Sequence, residues 1–391
     1  MKALGISHYT ATSALGTGRR AQYAALQAER GGLRDASFET CTLPTWIGAV
    51  DALEGPTPPV PAPWDCRNNR LAEIGLMQDG FTDAIQAARK RYGADRIAVY
   101  IGTSTSGAQQ AELAYRELTP EGQLPEHFNH RTTENIFSIA DYIRRKFDLH
   151  GPCAAISTAC SSSAKVFASA ARAIAGNLVD AALVGGVDTL CLTTLYGFHS
   201  LQLLSPDICR PADAQRKGLS IGEAAGFALI ENNVTAPLQL LGYGESSDAH
   251  HMSAPHPQGL GACAAMTAAL ERGGVEASEV DYINLHGTGT PANDLAEDKA
   301  VCTVFGHDTP CSSTKGWTGH TLGAAGILEA VLSLECLEHG LMPRSLNTRN
   351  LDPRIESAIL MQSRQEPLRR VMSNSFGFGG SNCSLLFGIT P

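Results

Sequence analysis

Three side chains in this sequence have the types and settings of a nucleophilic site: Cys160, His286 and His320. Cys160 stands in Ile156-Ser-Thr-Ala-Cys-Ser-Ser-Ser-Ala164, after the apolar run 153–156 and before a small-residue helical stretch at 165–175. Strand, tight loop and helix in that order put Cys160 at or near a helix N-terminus. Unpaired N–H groups and the helix dipole favour an anion there, so a thiolate is expected to form more easily. A free cysteine is more often just a small buried hydrophobe, so this stretch does not decide the matter alone.

His286 ends an apolar strand at 280–286 and leads into Gly-Thr288-Gly-Thr290-Pro, a turn forced by its glycines. Strand C-termini are where sites gather in open α/β sheets. Thr288 and Thr290, two residues apart, can offer two hydroxyls to one bound chain. His320 closes Lys315-Gly-Trp-Thr-Gly-His and precedes a helix that begins Gly323-Ala-Ala-Gly326. Lys315, at the end of a buried strand, needs a counter-charge, and Glu297 is the expected one. A glycine turn, Asn374-Ser-Phe376-Gly-Phe378-Gly-Gly-Ser-Asn382, interleaves free backbone N–H groups with two rings. One cysteine and two histidines at strand–loop junctions point to covalent acyl chemistry: a thiolate takes an acyl group, and imidazoles steady an oxyanion or enolate. Metal binding is the rival use of Cys and His. The long spacing and the lack of an acidic cluster beside them argue against it.

The elements that must position these residues alternate. Apolar strand runs are followed by helical patterns, with helices expected at 19–30, 69–91, 137–147, 266–273, 296–305 and 322–339. The class is α/β, with mostly parallel sheets covered on both faces. A proline-rich excursion at 42–63 is expected at the surface. Strand, polar loop and Ala/Gly-rich helix occur at 153–175 and again at 311–339. The two halves read as copies of one unit, 1–235 and 236–391, with the break near 232–237.

Composition is that of an ordinary globular protein with a large core. The 391 residues are 43% apolar and 18% charged, and the net charge of −9 excludes non-specific nucleic-acid binding as the expected role. The 11 cysteines show no CxxC pairing, which points to free thiols in a reducing compartment. No signal peptide and no membrane span is expected, and the expected location is the cytoplasm.

The stretches around Cys160, His286, Lys315–His320 and Phe376–Asn382 closely resemble the β-ketoacyl-[acyl-carrier-protein] synthases of the condensing-enzyme class. Cys209-Arg-Pro-Ala-Asp213 and Gly222-Glu-Ala-Ala-Gly226 resemble that family's mid-chain segment, so the likeness runs through essentially the whole chain. The resemblance implies a thiolase-like, duplicated five-layer α-β-α-β-α fold. It implies a 3-oxoacyl-carrier-protein synthase, in fatty-acid, aryl-polyene or polyketide-type biosynthesis. Cys160 is then the acyl nucleophile, and His286 and His320 assist decarboxylation of malonyl-carrier protein. The N–H groups of Cys160 and Phe378 form the oxyanion hole. Thr288 and Thr290 hold the pantetheine arm, and Lys315 and Glu297 are paired charges behind the histidines. Thr105 and Phe376 complete the substrate-binding set, Thr105 standing where many elongation synthases carry a larger apolar gate. Arg67 and Arg70 match a docking patch for the acidic carrier protein. No catalytic cofactor is implied; Asn284, Glu329 and Ser373 match positions around a structural monovalent cation. The implied partners are an acyl carrier protein bearing a phosphopantetheine arm and a second chain. That chain is an identical protomer, a related ketosynthase or a chain-length factor.

Departures from the family pattern, such as Arg216-Lys-Gly-Leu219 for the usual Arg-Asp-Gly-Phe, lean towards a specialised pathway. Two other readings compete. A non-catalytic chain-length subunit would be expected to lack Cys160. A non-decarboxylating thiolase would be expected to carry a second catalytic cysteine where Phe378 stands.

Overall fold

The structure is a computed structural model that describes residues 1–232 and 235–389; positions 233 and 234, within the expected break, lie outside the described residues. Among the described residues the main sheet has eleven strands, ten along its path and the two-residue strand Gly16–Thr17 beside it. Five come first, β1 (Leu4–Ser13), β2 (Ile97–Gly102), β3 (Cys153–Ile156), β4 (Ala181–Asp188) and β5 (Ala224–Glu231). Five follow, β6 (Leu238–Ser247), β7 (Tyr282–Asn284), β8 (Cys311–Ser312), β9 (Arg370–Gly377) and β10 (Ser381–Ile389). Their spatial order is β3-β2-β4-β5-β1, then β6-β10-β9-β7-β8.

Each set of five repeats one topology. The third strand in chain order lies outermost, then the second, fourth, fifth and first. The pairing senses repeat as well. The outer three strands of each set are parallel, and the remaining pairings are antiparallel. Among the described residues, the strands of the two sets are joined where β1 pairs with β6, at Leu4↔Leu240 and Gly5↔Gln239. The sheet is therefore mixed rather than mostly parallel. The last strand of each set returns beside its neighbour in the opposite sense, as β10 does after the glycine turn.

Helices fill three layers around the two strand sets. Outside the first lie α1 (Arg67–Leu76), α2 (Phe81–Tyr92) and α3 (Ser138–Lys146). Between the sets, α4 (Ser162–Ala175) packs against a long helix spanning Ala325–His339. A short helix, α5 (Leu192–Ser200), lies near the cleft. Outside the second set lie α6 (Leu260–Gly273) and α7 (Pro291–Phe305); the central partner of α4 is numbered α8 (Ala325–His339). The layering is α-β-α-β-α.

The small residues of the two central helices explain their contact. A Cβ at Gly326 would sit 2.4 Å from the Ala164 nitrogen, so only glycine lets the backbones approach this closely. The stretch 69–91 forms two helices rather than one, because Asp79 (φ +53°) and Gly80 (φ +68°) turn the chain through the left-handed region. The helices at Ala108–Arg116 and α5 have no counterpart in the sequence reading. Among the described residues, no helix is long and apolar enough to cross a membrane.

Candidate active site

Cys160 and His320 come from equivalent places in the two halves. Each follows the outermost strand of its set and precedes a central helix. Cys160 sits two residues before α4, after Ala159, which is held at φ +53°. That conformation costs a non-glycine residue about 1 kcal/mol and turns the chain sharply out of β3. Side-chain bonds hold the loop: Ser162 Oγ accepts from the Thr158 N–H (2.9 Å) and donates to the Ala159 carbonyl (2.6 Å).

The sulfur and the two imidazoles meet in a buried cluster. His320 Nε2 is 2.9 Å from Cys160 Sγ. The His286 and His320 rings stand edge to face at 5.4 Å and 86°. One ligand atom from each of the three residues lies within 4.8 Å of the others.

The hydrogen bonds behind the rings set their tautomers. His320 Nδ1 accepts from the Leu322 N–H (3.3 Å), so its proton is on Nε2. Lys315 Nζ is 3.3 Å from His286 Nδ1 and donates to the His286 carbonyl (2.6 Å), which leaves the His286 proton on Nε2 too. Burial, then the Lys315 charge, holds both imidazoles well below the usual histidine range. They stay neutral and present two N–H donors to the cavity.

Burial pushes the Cys160 thiol up to about 11, against the opposing pull of Lys315 and the N–H groups of Phe378 and Cys160. This corrects the expectation of an easily formed thiolate. The helix start and two N–H groups do not outweigh full removal from water.

Lys315 is ion-paired with Glu329, not with Glu297. Glu329 projects from α8, the helix that His320 leads into. Glu297, on α7, accepts the N–H groups of His286 (2.8 Å) and Gly287 (2.7 Å), pinning the backbone of the histidine turn. Burial raises the Glu297 carboxyl to about 7 despite those two donors.

Cys160, His286, His320, Thr288, Thr290, Phe376 and Phe378 line one cleft. The Thr288 and Thr290 hydroxyls bond each other at 2.9 Å. Thr105 is not in that lining. Its hydroxyl and its N–H both donate to Asp188, at 2.8 and 2.9 Å, because a buried carboxylate outcompetes an open cavity for donors. Arg67 is not a free surface charge. It reaches the fully buried Glu223 through Nε (3.0 Å) and Nη2 (2.7 Å), and only 12% of its side chain is exposed. Arg70 is 45% exposed and paired with Asp65 at 2.6 Å.

Phe198, from α5, lies in the cleft and stacks on Phe378 at 5.6 Å; the sequence reading did not include it. Its short helix starts without a hydrophobic stripe to mark it. Asp188 was also passed over, as the polar end of an apolar strand.

The proposed cation residues fit a hard ion in part. Glu329 Oε2 and Ser373 Oγ are buried without a hydrogen-bond partner, and oxygen donors of this kind suit such an ion. Asn284 Oδ1 accepts from the Thr314 hydroxyl at 3.4 Å.

Known proteins place this arrangement. The family model "Beta-ketoacyl synthase, N-terminal domain" matches residues 76–236, and its C-terminal counterpart matches residues 239–349. The mitochondrial 3-oxoacyl-[acyl-carrier-protein] synthase of Arabidopsis thaliana is 38% identical over 268 residues, 63% of this chain and 58% of that protein. The 3-oxoacyl-[acyl-carrier-protein] synthase 2 of Coxiella burnetii is 35% identical over 313 residues, 75% of each chain. The ketosynthase ApeO, solved in complex with its chain length factor ApeC from Xenorhabdus doucetiae, superposes with a TM-score of 0.91 at 39% identity, covering 99% of this chain and 98% of that one. With a buried cysteine and two histidines where two thiolase-like halves meet, the chain belongs to the β-ketoacyl synthase family of condensing enzymes.

Proposed function

We propose that the chain condenses an acyl group held on Cys160 with a malonyl group held on an acyl carrier protein, releasing CO₂ and a 3-oxoacyl thioester. The observation that carries this reading is the meeting of Cys160 Sγ with two neutral imidazoles, both protonated at Nε2, beside the N–H groups of Cys160 and Phe378.

In the first half-reaction Cys160 Sγ attacks the acyl thioester carbonyl. The oxyanion lies on the two N–H groups. The bond to the pantetheine sulfur breaks, and that leaving thiol takes up the proton Cys160 gives up. In the second, the malonyl thioester oxygen accepts from Nε2–H of His286 and His320. The C–CO₂ bond breaks and its electrons form an enolate held by both imidazoles. The enolate carbon attacks the acyl-Cys160 carbonyl and expels the thiolate, which regains a proton from water. Thr288 and Thr290 bond the pantetheine arm. Lys315, held by Glu329, fixes the His286 tautomer. Asn284, Glu329 and Ser373 would hold a structural monovalent cation.

The specialised pathway and the second chain are part of the proposal. ApeO, the relative solved with a chain length factor, supports a paired assembly with a related subunit. Intact mass after incubation with a panel of acyl-carrier proteins tests the reading. One acyl adduct, absent in Cys160→Ala, is expected, together with the chemical identity of the chain. An adduct that persists in Cys160→Ala removes the nucleophile assignment.

A further inference from the structure

Cys160 and His320 sit in different halves of the fold, yet their reacting atoms are 2.9 Å apart. A single carboxylate spans the backbone on both sides of that contact. Asp188, at the C-terminal end of β4, is fully buried. Its Oδ1 accepts from the Thr103 hydroxyl (2.6 Å), the Thr105 N–H (2.9 Å) and the Thr105 hydroxyl (2.8 Å), and the Ser104 N–H lies 2.9 Å from each oxygen. Its Oδ2 also accepts from the Gly323 N–H at 2.6 Å.

The two groups of donors lead to the two reacting residues. On one side, Ser104 Oγ donates to the carbonyl of Ala159, the residue before Cys160, at 3.3 Å. On the other, Gly323 follows Leu322, whose N–H selects the His320 tautomer. Gly323 has no room for a side chain, since a Cβ there would lie 2.6 Å from Asp188 Oδ2 and 2.7 Å from the Ser104 nitrogen. The approach of the His320 turn to this carboxylate is therefore as close as packing allows.

We infer that Asp188 is a positioning residue for the reaction, a carboxylate clamp that holds the Cys160 loop and the His320 turn in register across the two halves. It does not touch substrate. Five donors from two elements converge on one carboxylate: burial pushes its carboxyl up, the Thr103, Ser104 and Thr105 donors pull it back down, and bonds to a charged acceptor of this kind are the stronger class. Losing the charge leaves those donors poorly satisfied and frees the turn that sets His320 Nε2 against the sulfur. Displacement by 1 Å at a reacting group can cost about 10²-fold in rate.

The inference rests on the condensing reaction proposed above. Its test measures malonyl-carrier-protein decarboxylation, scaled to the Cys160 thiols that an alkylating probe titrates. For Asp188→Asn the expected result is a kcat per titrated site lowered by about tenfold or more, with KM for the carrier substrate within about twofold. The arm-binding threonines are on another turn, so KM should not follow kcat. Gly323→Ala keeps the charge, forces the clamp open and should give the same split; it also serves if Asp188→Asn does not fold. Wild-type rates per site in either folded variant overturn the clamp. A wild-type chain that releases no CO₂ overturns the condensing reading instead. A second readout needs no activity: Cys160 alkylation at fixed pH should slow in both variants, because a displaced His320 no longer donates to the thiolate. Unchanged alkylation together with unchanged kcat leaves Asp188 as packing alone.

Discussion

The Cys160 thiol, pushed up to about 11 by burial, is protonated at neutral pH. The sign follows directly. Burial disfavours the thiolate, so its fraction rises about tenfold per pH unit until the solution reaches that value. Alkylation of Cys160 by iodoacetamide is expected to follow, with a log-rate slope near one between about pH 7 and pH 10. A rate already on a plateau at pH 8 would mean that the loop lowers the thiol far more than its burial raises it.

The same scale explains what was legible in the sequence. Cys160, His286 and His320 each lie in a local strand–turn–helix pattern, so chain order alone brings them to the same ends of the two strand sets. The partner of Lys315 was not legible. Glu297 and Glu329 are both helical acids downstream of a histidine, and which of them meets Lys315 depends on how α7 and α8 face the site. Lys315→Met leaves Glu329 buried without its cation. A loss of about 3–5 kcal/mol in denaturant unfolding is expected. Glu297→Gln keeps an acceptor oxygen for one of the His286 and Gly287 N–H groups, turns an NH2 toward the other and leaves no unpaired charge, so it should cost less. Equal losses from the two changes would undo the assignment of Glu329 as the counter-charge.

At the scale of elements, the site depends on how closely two helices approach. The repeat at 153–175 and 311–339 was readable because both copies carry the same run of small residues before a helix. Its consequence, the α4–α8 contact through Ala164 and Gly326, is a tertiary fact. Gly326→Ala adds one methyl where 2.4 Å separates its Cβ position from backbone, so helix backbone has to move. Overpacking of this kind costs about 1–3 kcal/mol. Here it also separates the helices that follow Cys160 and His320 in the chain. Thermal unfolding should fall by several degrees, and kcat should fall further than the loss of folded protein explains. Gly197→Ala is the matched control, as nothing lies within 4 Å of a Cβ there. The helix carrying Gly197, α5, was missed because Leu192-Thr-Thr-Leu-Tyr-Gly-Phe-His-Ser has neither a capping residue nor helical periodicity. It is held from outside: Glu112 accepts the Leu192 and Thr193 N–H groups at its first turn, at 3.1 and 2.6 Å.

For the whole molecule, the proposed function raises the question of how a chain of net charge −9 would dock an acidic carrier protein. Arg67 and Arg70 were read from sequence as one basic patch, and the structure gives them different work. Two arginines three residues apart share a helix face, but that spacing does not reveal that Glu223 is folded beneath only one of them. Arg67 neutralises a carboxylate with no exposed surface, so Arg67→Ala should destabilise the fold by about 3–5 kcal/mol whatever its effect on binding. Arg70 is half in water and tied to Asp65, a pair worth about 1 kcal/mol or less. Arg70→Glu should therefore leave the melting temperature nearly unchanged. Docking can then be read from the salt dependence of KM for the carrier. Exposed charges are screened over about 10 Å at 0.1 M salt. If a local basic surface steers the carrier, KM rises as salt is added and Arg70→Glu flattens that rise. If the net charge of the two proteins dominates, salt relieves repulsion, KM falls, and Arg70→Glu changes little. We expect the first outcome. Under the proposed function a productive complex brings the carrier's arm to Thr288 and Thr290, so the charges near the point of contact outweigh those on the far side of the molecule.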